Sequence, residues 1–142
     1  MADVTISTVA LPVTGAANKY GNGTAGETIA VGKFVYRDAA DSYKLKCADT
    51  TTAAKAAVVG ISLHAATSGQ PLRILTGGRI TLGASLSVGM VYVLSGTSGG
   101  GAMCPVTDLD STEYVTTLGA ASTTVVLDLE IWASGILSNT SI

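Results

Sequence analysis

Apolar and polar residues alternate in short runs along most of the chain, and no stretch keeps the i, i+3, i+4, i+7 apolar spacing of a capped helix. The runs are rich in Val, Ile, Thr and Tyr and are bounded by Gly, Asp, Asn and Ser, which is the pattern of half-buried strands separated by turns. It predicts strands over 33–37, 43–47, 57–63, 71–76, 90–94, 102–106, 114–121 and 124–133. Only the segment 51–58 has the composition for a helical turn, and a short one.

These strands form two sets because the chain repeats itself. Ile29-Ala30-Val31-Gly32-Lys33-Phe34-Val35-Tyr36 matches Leu86-Ser87-Val88-Gly89-Met90-Val91-Tyr92-Val93. The same offset carries Cys47 onto Cys104 and Gly78 onto Gly135. Val59-Gly60-Ile61 falls on Leu118-Gly119-Ala120 two residues further along, and a shortened turn restores the register: His64 to Gly69 in one copy, Ala121 to Thr124 in the other. Length changes confined to turns are what a duplicated fold tolerates. The copies run over about 24–78 and 79–135, within a duplicated domain of 24–142. One copy alone would leave the apolar face of its sheet in water, and two copies facing each other bury both. The predicted fold is therefore all-β, a compact barrel or sandwich with internal pseudo-twofold symmetry. Gly32 and Gly89 each precede a strand and are expected to make tight turns with positive φ.

Residues 1–23 lie outside the repeat. Val4 and Ile6 alternate with polar residues, the phase slips at Ser7-Thr8, and Val9, Leu11 and Val13 alternate again. The stretch from Gly15 to Gly23 reads as a flexible, turn-rich linker. Two readings follow: an extended arm whose apolar residues pair with another sheet edge, or an ordinary first strand of the same barrel. In the last strand, Leu127, Leu129 and Ile131 share one face, and Asp128, Glu130 and Trp132 the other. The matching strand of the first copy puts Leu72 and Ile74 inward, with Arg73 and Leu75 outward. Trp132 thus matches Leu75, and Glu130 matches Arg73 with opposite charge. An outward tryptophan either anchors an interface or is covered by the arm or a loop of its own chain.

Composition sharpens this picture. Charged residues make up 13% of the 142, against about 25% in an average soluble protein. Hydrophobic residues make up 47%, enough for a packed core. A polar but weakly charged surface repels neighbours poorly and suits burial against them, as in an assembly component. With 8 basic and 10 acidic residues and no basic run, no nucleic-acid partner is expected. No apolar run approaches the roughly 20 residues of a bilayer span, and the N-terminus carries no secretory pattern, so synthesis and folding in a cytoplasm and no membrane partner are expected.

Candidate chemistry is sparse. His64 is the only histidine and reads as a solvent-facing turn residue. Asp108, Asp110 and Glu113 alternate like calcium ligands but lack the twelve-residue loop pattern, and read as a solvated turn. Asp38 and Asp41 belong to a hairpin turn. Cys47 and Cys104 read as two small buried hydrophobes, a disulfide requiring that the two sites lie close together. No catalytic motif occurs, and the expectation is a protein that is not an enzyme, with no cofactor, metal or small-molecule substrate.

The run Gly26 to Tyr36, the run Ala57-Val58-Val59-Gly60-Ile61-Ser62 and the run Gly69 to Gly78 resemble the capsid decoration, or cement, proteins of tailed bacteriophages. The resemblance covers about 24–135, and its motifs are short. It implies a small β protein, a homotrimer when assembled. Such a protein binds the outside of an expanded head and bridges neighbouring major capsid protein subunits; it resides on the virion surface after synthesis in the bacterial host cytoplasm. It brings no catalytic residues. On this reading the interface candidates are Val4, Ile6, Val9, Leu11, Val13, Arg73, Leu75, Glu130 and Trp132, with the arm pairing to a neighbour's or the capsid's sheet edge. The alternatives are a receptor- or glycan-binding domain of a tail fibre, against which the scattered aromatics argue, and a self-assembling tail component.

Overall fold

The computed structural model describes residues 10–13, 17–82, 86–95, 100–108 and 113–137. Among these residues, ten strands pair antiparallel in a strongly curled sheet, a half-barrel. They are β1 (Ala10–Pro12), β2 (Lys19–Thr24), β3 (Phe34–Asp38), β4 (Lys44–Cys47), β5 (Gly60–Ser62), β6 (Pro71–Leu82), β7 (Val91–Leu94), β8 (Met103–Pro105), β9 (Tyr114–Ala121) and β10 (Val126–Leu137). Among the described residues there is no α-helix, only 3-10 turns at Ala39–Asp41 and Val106–Asp108. The segment after Asp49 does make one helical turn, with Ala56 N donating to Thr52 O at 3.0 Å. Asp49 Oδ1 accepts from Thr51 N at its start.

The strand order, β4-β3-β5-β6-β10-β9-β7-β8, reads the same from either end. Each half orders its strands alike, and the halves meet where β6 and β10 pair from Thr81↔Val126 to Gly78↔Leu129. This is the layout the repeat predicts. The copy boundary falls inside β6, which continues past Gly78 to Leu82 instead of stopping near Thr76. β6 is paired on both edges along its length. Ile74 and Leu75 face Ser62 and Ile61 of β5 on one side, and Gly21 and Tyr20 of β2 on the other. Ile80 lies between Leu127 of β10 and Pro12 of β1.

The segment read as a flexible linker thus contains a strand. Its glycines explain how it fits. A Cβ at Gly23 would stand 2.7 Å from Leu45 Cδ1, and one at Gly21 3.3 Å from Ile74 Cγ1. β2 lies so close to these side chains that Gly is needed at alternate positions, and glycine in a strand marks such close approach.

The main core draws on both halves: Phe34, Ile61, Leu75, Ile80, Leu94, Met103, Leu118 and Leu127 are all buried within it. Each such side chain contributes roughly 1.5–3 kcal/mol by leaving water. A second cluster lies on the opposite face of the first half, where Val35, Leu45, Leu72 and Ile74 are covered by Ala25, Ile29 and Ala66. A smaller one, around Val93 and Cys104, lies on the corresponding face of the second half.

One assignment of facing needs correction. Leu75 does not point outward: it is 0% exposed, in the main core. The first half's sheet is apolar on both faces, so Leu72 and Ile74 fill one cluster while Leu75 fills the other. In the second copy, the residues facing the main core are Tyr92 and Leu94, the counterparts of Phe34 and Tyr36. They sit one position later than the ungapped repeat places them, and β7 shifts register against β9 between Tyr92 and Val93. Gly32 and Gly89 have φ of 77° and 81°, as their turns require.

Candidate interaction surface

Cross-strand partners share a face of a sheet. In the second half, Cys104 pairs with Val93, Val93 with Thr117, and Thr117 with Trp132, so the four side chains stand in one row on the outer face. The row runs from full burial at Cys104 and Val93 to 63% exposure at Trp132. In the first half, the matching row is Cys47, Val35 and Gly60. Ile74 lies over Gly60, its Cδ1 3.0 Å from where a Cβ would stand. Ile74 is fully buried because a strap, 25–29, closes this face. The strap is tied down by Gly26 N donating to Leu45 O, and by Ile29 and Ala66 exchanging both backbone bonds at 2.8 and 2.9 Å. In the second half the equivalent residues Leu82 and Leu86 are buried in the main core instead, with Leu86 N donating to Thr124 O at 2.7 Å as Ile29 N does to Ala66 O, and the outer face there exposes a tryptophan.

Beside this row, β6 and β10 part after Leu129↔Gly78. An open trough of about 1030 Å³ lies there, lined by Lys19, Thr76, Gly77, Gly78, Arg79, Asp128 and Glu130 among others. The glycines leave its floor without side chains. Arg79 Nε stands 2.7 Å from Asp128 Oδ1 across the strand pair. Both side chains are well exposed, and such a pair contributes at most about 1 kcal/mol. The trough offers cations, carboxylates and bare backbone, which suits a polypeptide surface better than a buried small molecule.

Of the candidate residues, Trp132 and Glu130 lie together on this exposed surface. Arg73 is exposed on the first half, with its guanidinium 4.3 Å from the centroid of the Tyr20 ring. Leu75 is excluded by burial. Val4, Ile6 and Val9 lie outside the described residues. Leu11 belongs to β1, opposite Thr81, and Val13 N donates to Arg79 O at 2.9 Å. This described end of the arm therefore lies on a strand of its own chain. The trough and the Arg79–Asp128 pair are not among the sequence candidates. Their signal is the opposite charge of Arg79 and Asp128, visible only once β6 is extended past Gly78.

The remaining polar groups have structural partners. His64 Nε2 accepts from Arg73 N at 3.1 Å, and Nδ1 lies 3.0 Å from Ala65 O, so the ring secures the start of β6. Lys46 Nζ bonds Asp38 at 2.9 Å and Asp41 at 3.2 Å across the β3–β4 hairpin. The Lys46 ammonium, helped by Ala40 N, holds the Asp38 carboxyl below its usual pKa. Glu27 Oε2 accepts from Cys47 N at 2.8 Å. Burial, then the Glu27 charge, pushes the Cys47 thiol up to about 11. Cys47 and Cys104 form no disulfide and belong to different clusters. Glu113 is buried and Asp110 lies outside the described residues. Among the described residues no three His, Cys, Asp or Glu side chains converge. No protein-family model matches this chain, and no curated protein matches it.

Proposed function

We propose that this protein is a structural component of a phage virion: a non-enzymatic capsid decoration protein that binds the outer surface of an expanded head as a homotrimer and bridges major capsid subunits. The observation that carries this reading is the inequality of the two halves. One closes its outer face with its own strap, while the other leaves Trp132 and the adjoining trough open. Aromatic anchors set among weakly charged surroundings suit docking on another protein. The sequence resemblance supplies the kind of partner. Modest contacts repeated over many lattice sites add up through multivalency, and each bridge must break before the shell can open.

The test is to mix the purified protein with expanded, undecorated heads and image them by cryo-electron microscopy. Regular added density at capsomer boundaries or local threefold positions is the expected outcome, with Trp132 at the contact. Bare shells at saturating protein would remove the reading. Trp132→Ala should then lower occupancy by tenfold or more at subsaturating protein, as loss of about 1.4 kcal/mol or more implies.

A further inference from the structure

The chain holds one Phe, one Trp and five Tyr, and the fold packs all but two of these seven aromatics. Phe34, Tyr36 and Tyr92 are buried in the main core, and Tyr114 packs against it. Tyr20 lies under the Arg73 guanidinium. The two left over are Trp132 and Tyr43, 63% and 64% exposed. They stand on different halves and toward opposite ends of the strands. Phe34 of β3 and Leu75 of β6 both pair antiparallel with Ile61 of β5. β3 and β6 therefore run the same way, which sets Asp38 level with Arg79 and the β3–β4 hairpin tip, with Tyr43, beyond it. β10 runs the other way and carries Trp132 past Gly78 toward the start of β6.

Tyr43 is also held in a backbone conformation that a bulky side chain resists. Its φ of 59° and the 56° of Ser42 are the only positive values among the described non-glycine residues. A strained residue that gains no packing in return points to a function for its side chain. Its base is rigid. Tyr43 N donates to Asp38 O at 2.8 Å, Lys46 Nζ bonds Asp38 and Asp41, and Lys44 Nζ lies 3.7 Å from Asp41. Two lysines and two aspartates cancel, so the tip offers a fixed ring on a support of no net charge. That suits an uncharged protein surface better than nucleic acid or an anionic membrane. A pre-positioned aromatic also loses little freedom on docking, and Tyr and Trp are the residues that dominate interfaces. We propose that Tyr43 is the second anchor of this protein, inserting its ring into an apolar, uncharged socket on one capsid subunit while Trp132 docks on the neighbouring subunit. A bridge needs two contacts that meet different partners, and one exposed aromatic on each half supplies them. The inference rests on the proposed function and adds the second contact that bridging requires.

The test titrates wild-type, Tyr43→Asn and Tyr43→Phe proteins onto expanded, undecorated heads and images the wild-type particles by cryo-electron microscopy. Asparagine suits the left-handed backbone, so Y43N keeps the fold, and a urea midpoint no lower than wild type verifies this. Y43N should need about tenfold or more protein for half occupancy, while Y43F, which keeps the ring, should bind nearly as wild type. The map should place Tyr43 and Trp132 on two different capsid subunits, a readout that needs no substitution. Equal occupancy curves for wild type and Y43N, Tyr43 standing in solvent in the map, or both aromatics on one subunit would each overturn the proposal while decoration itself stands. Wild-type protein that leaves the heads bare would overturn the proposed function, and this contact with it. Sedimentation of the free proteins separates the remaining occupant. Y43N should sediment as wild type; a smaller species would assign the ring to a contact between copies and overturn the proposal.

Discussion

Tyr43 is a bulky residue with φ 59°, next to Ser42 at 56°. Both lie in the left-handed region, where a side chain costs about 1 kcal/mol or more. The hairpin tolerates this because Tyr43 N donates to Asp38 O at 2.8 Å, while Asp38, Asp41 and Lys46 tie its two strands together. Tyr43 is 64% exposed, so its ring contributes little packing. Tyr43→Asn should raise stability by about 0.5–1 kcal/mol, read as a higher urea midpoint at unchanged slope. A lower midpoint would show that the ring matters. Cys47 makes a residue-scale prediction in pH. Its folded-state pKa, about 11, lies above the ordinary thiol value near 8.5. Its contribution to stability is therefore fully present below about pH 8.5 and is lost as pH rises through 11. At pH 8 the native thiol should react with a disulfide reagent on the order of 100-fold more slowly than in the urea-unfolded chain. Equal rates would mean the site opens freely.

At the scale of elements, the strands turn on a few glycines whose reasons differ. Gly89 has φ 81° with open space around it, whereas a Cβ at Gly119, φ 152°, would overlap Asp128 O on the facing strand. Gly89→Ala should cost only the backbone strain, about 1–2 kcal/mol. Gly119→Ala should cost more than about 3 kcal/mol by forcing β9 and β10 apart. Thermal denaturation of the two variants side by side ranks them, and equal losses would refute the overlap argument. The same residues mark the limits of reading elements from sequence. Alternation located β3 to β5 and β7 to β10 because each is punctuated by turn residues. It missed β2, since glycines at 21 and 23 look like a loop until Leu45 and Ile74 are seen beside them. It ended β6 too early, since Gly77-Gly78 looks like a stop. Instead the pair absorbs an extra residue there, so that Leu75 and Ile80 both face the main core.

At the scale of the molecule, the repeat made the palindromic strand order legible, because equivalent sequences fold alike. The unequal outer faces were not legible. They depend on where residues 25–29 and their equivalents settle, over the outer face in one half and into the main core in the other, and no periodicity encodes that. Trp132 was visible as an outward residue, but its pairing with Leu75 failed because the first half buries both faces of its sheet. The shared core makes one further prediction. Leu118 of the second half is buried in the same cluster as Phe34 and Ile61 of the first. Leu118→Ala should destabilise by about 2–5 kcal/mol while leaving a single transition with equal calorimetric and van't Hoff enthalpies. A split into two transitions would mean that the halves unfold separately.

β6 also sets how the molecule bears load. Twelve residues long, it is bonded along both edges and belongs to both halves at once. Tension along its axis meets these bonds sideways, in shear, so they share the force and must give way together. Tension across a sheet edge peels bonds one at a time and needs far less force. A shell swelling from within stretches whatever straddles its seams. The stiff direction of this protein is the line of β6, and if it bridges capsid subunits as proposed, the orientation that serves that role best lays this line across the seam.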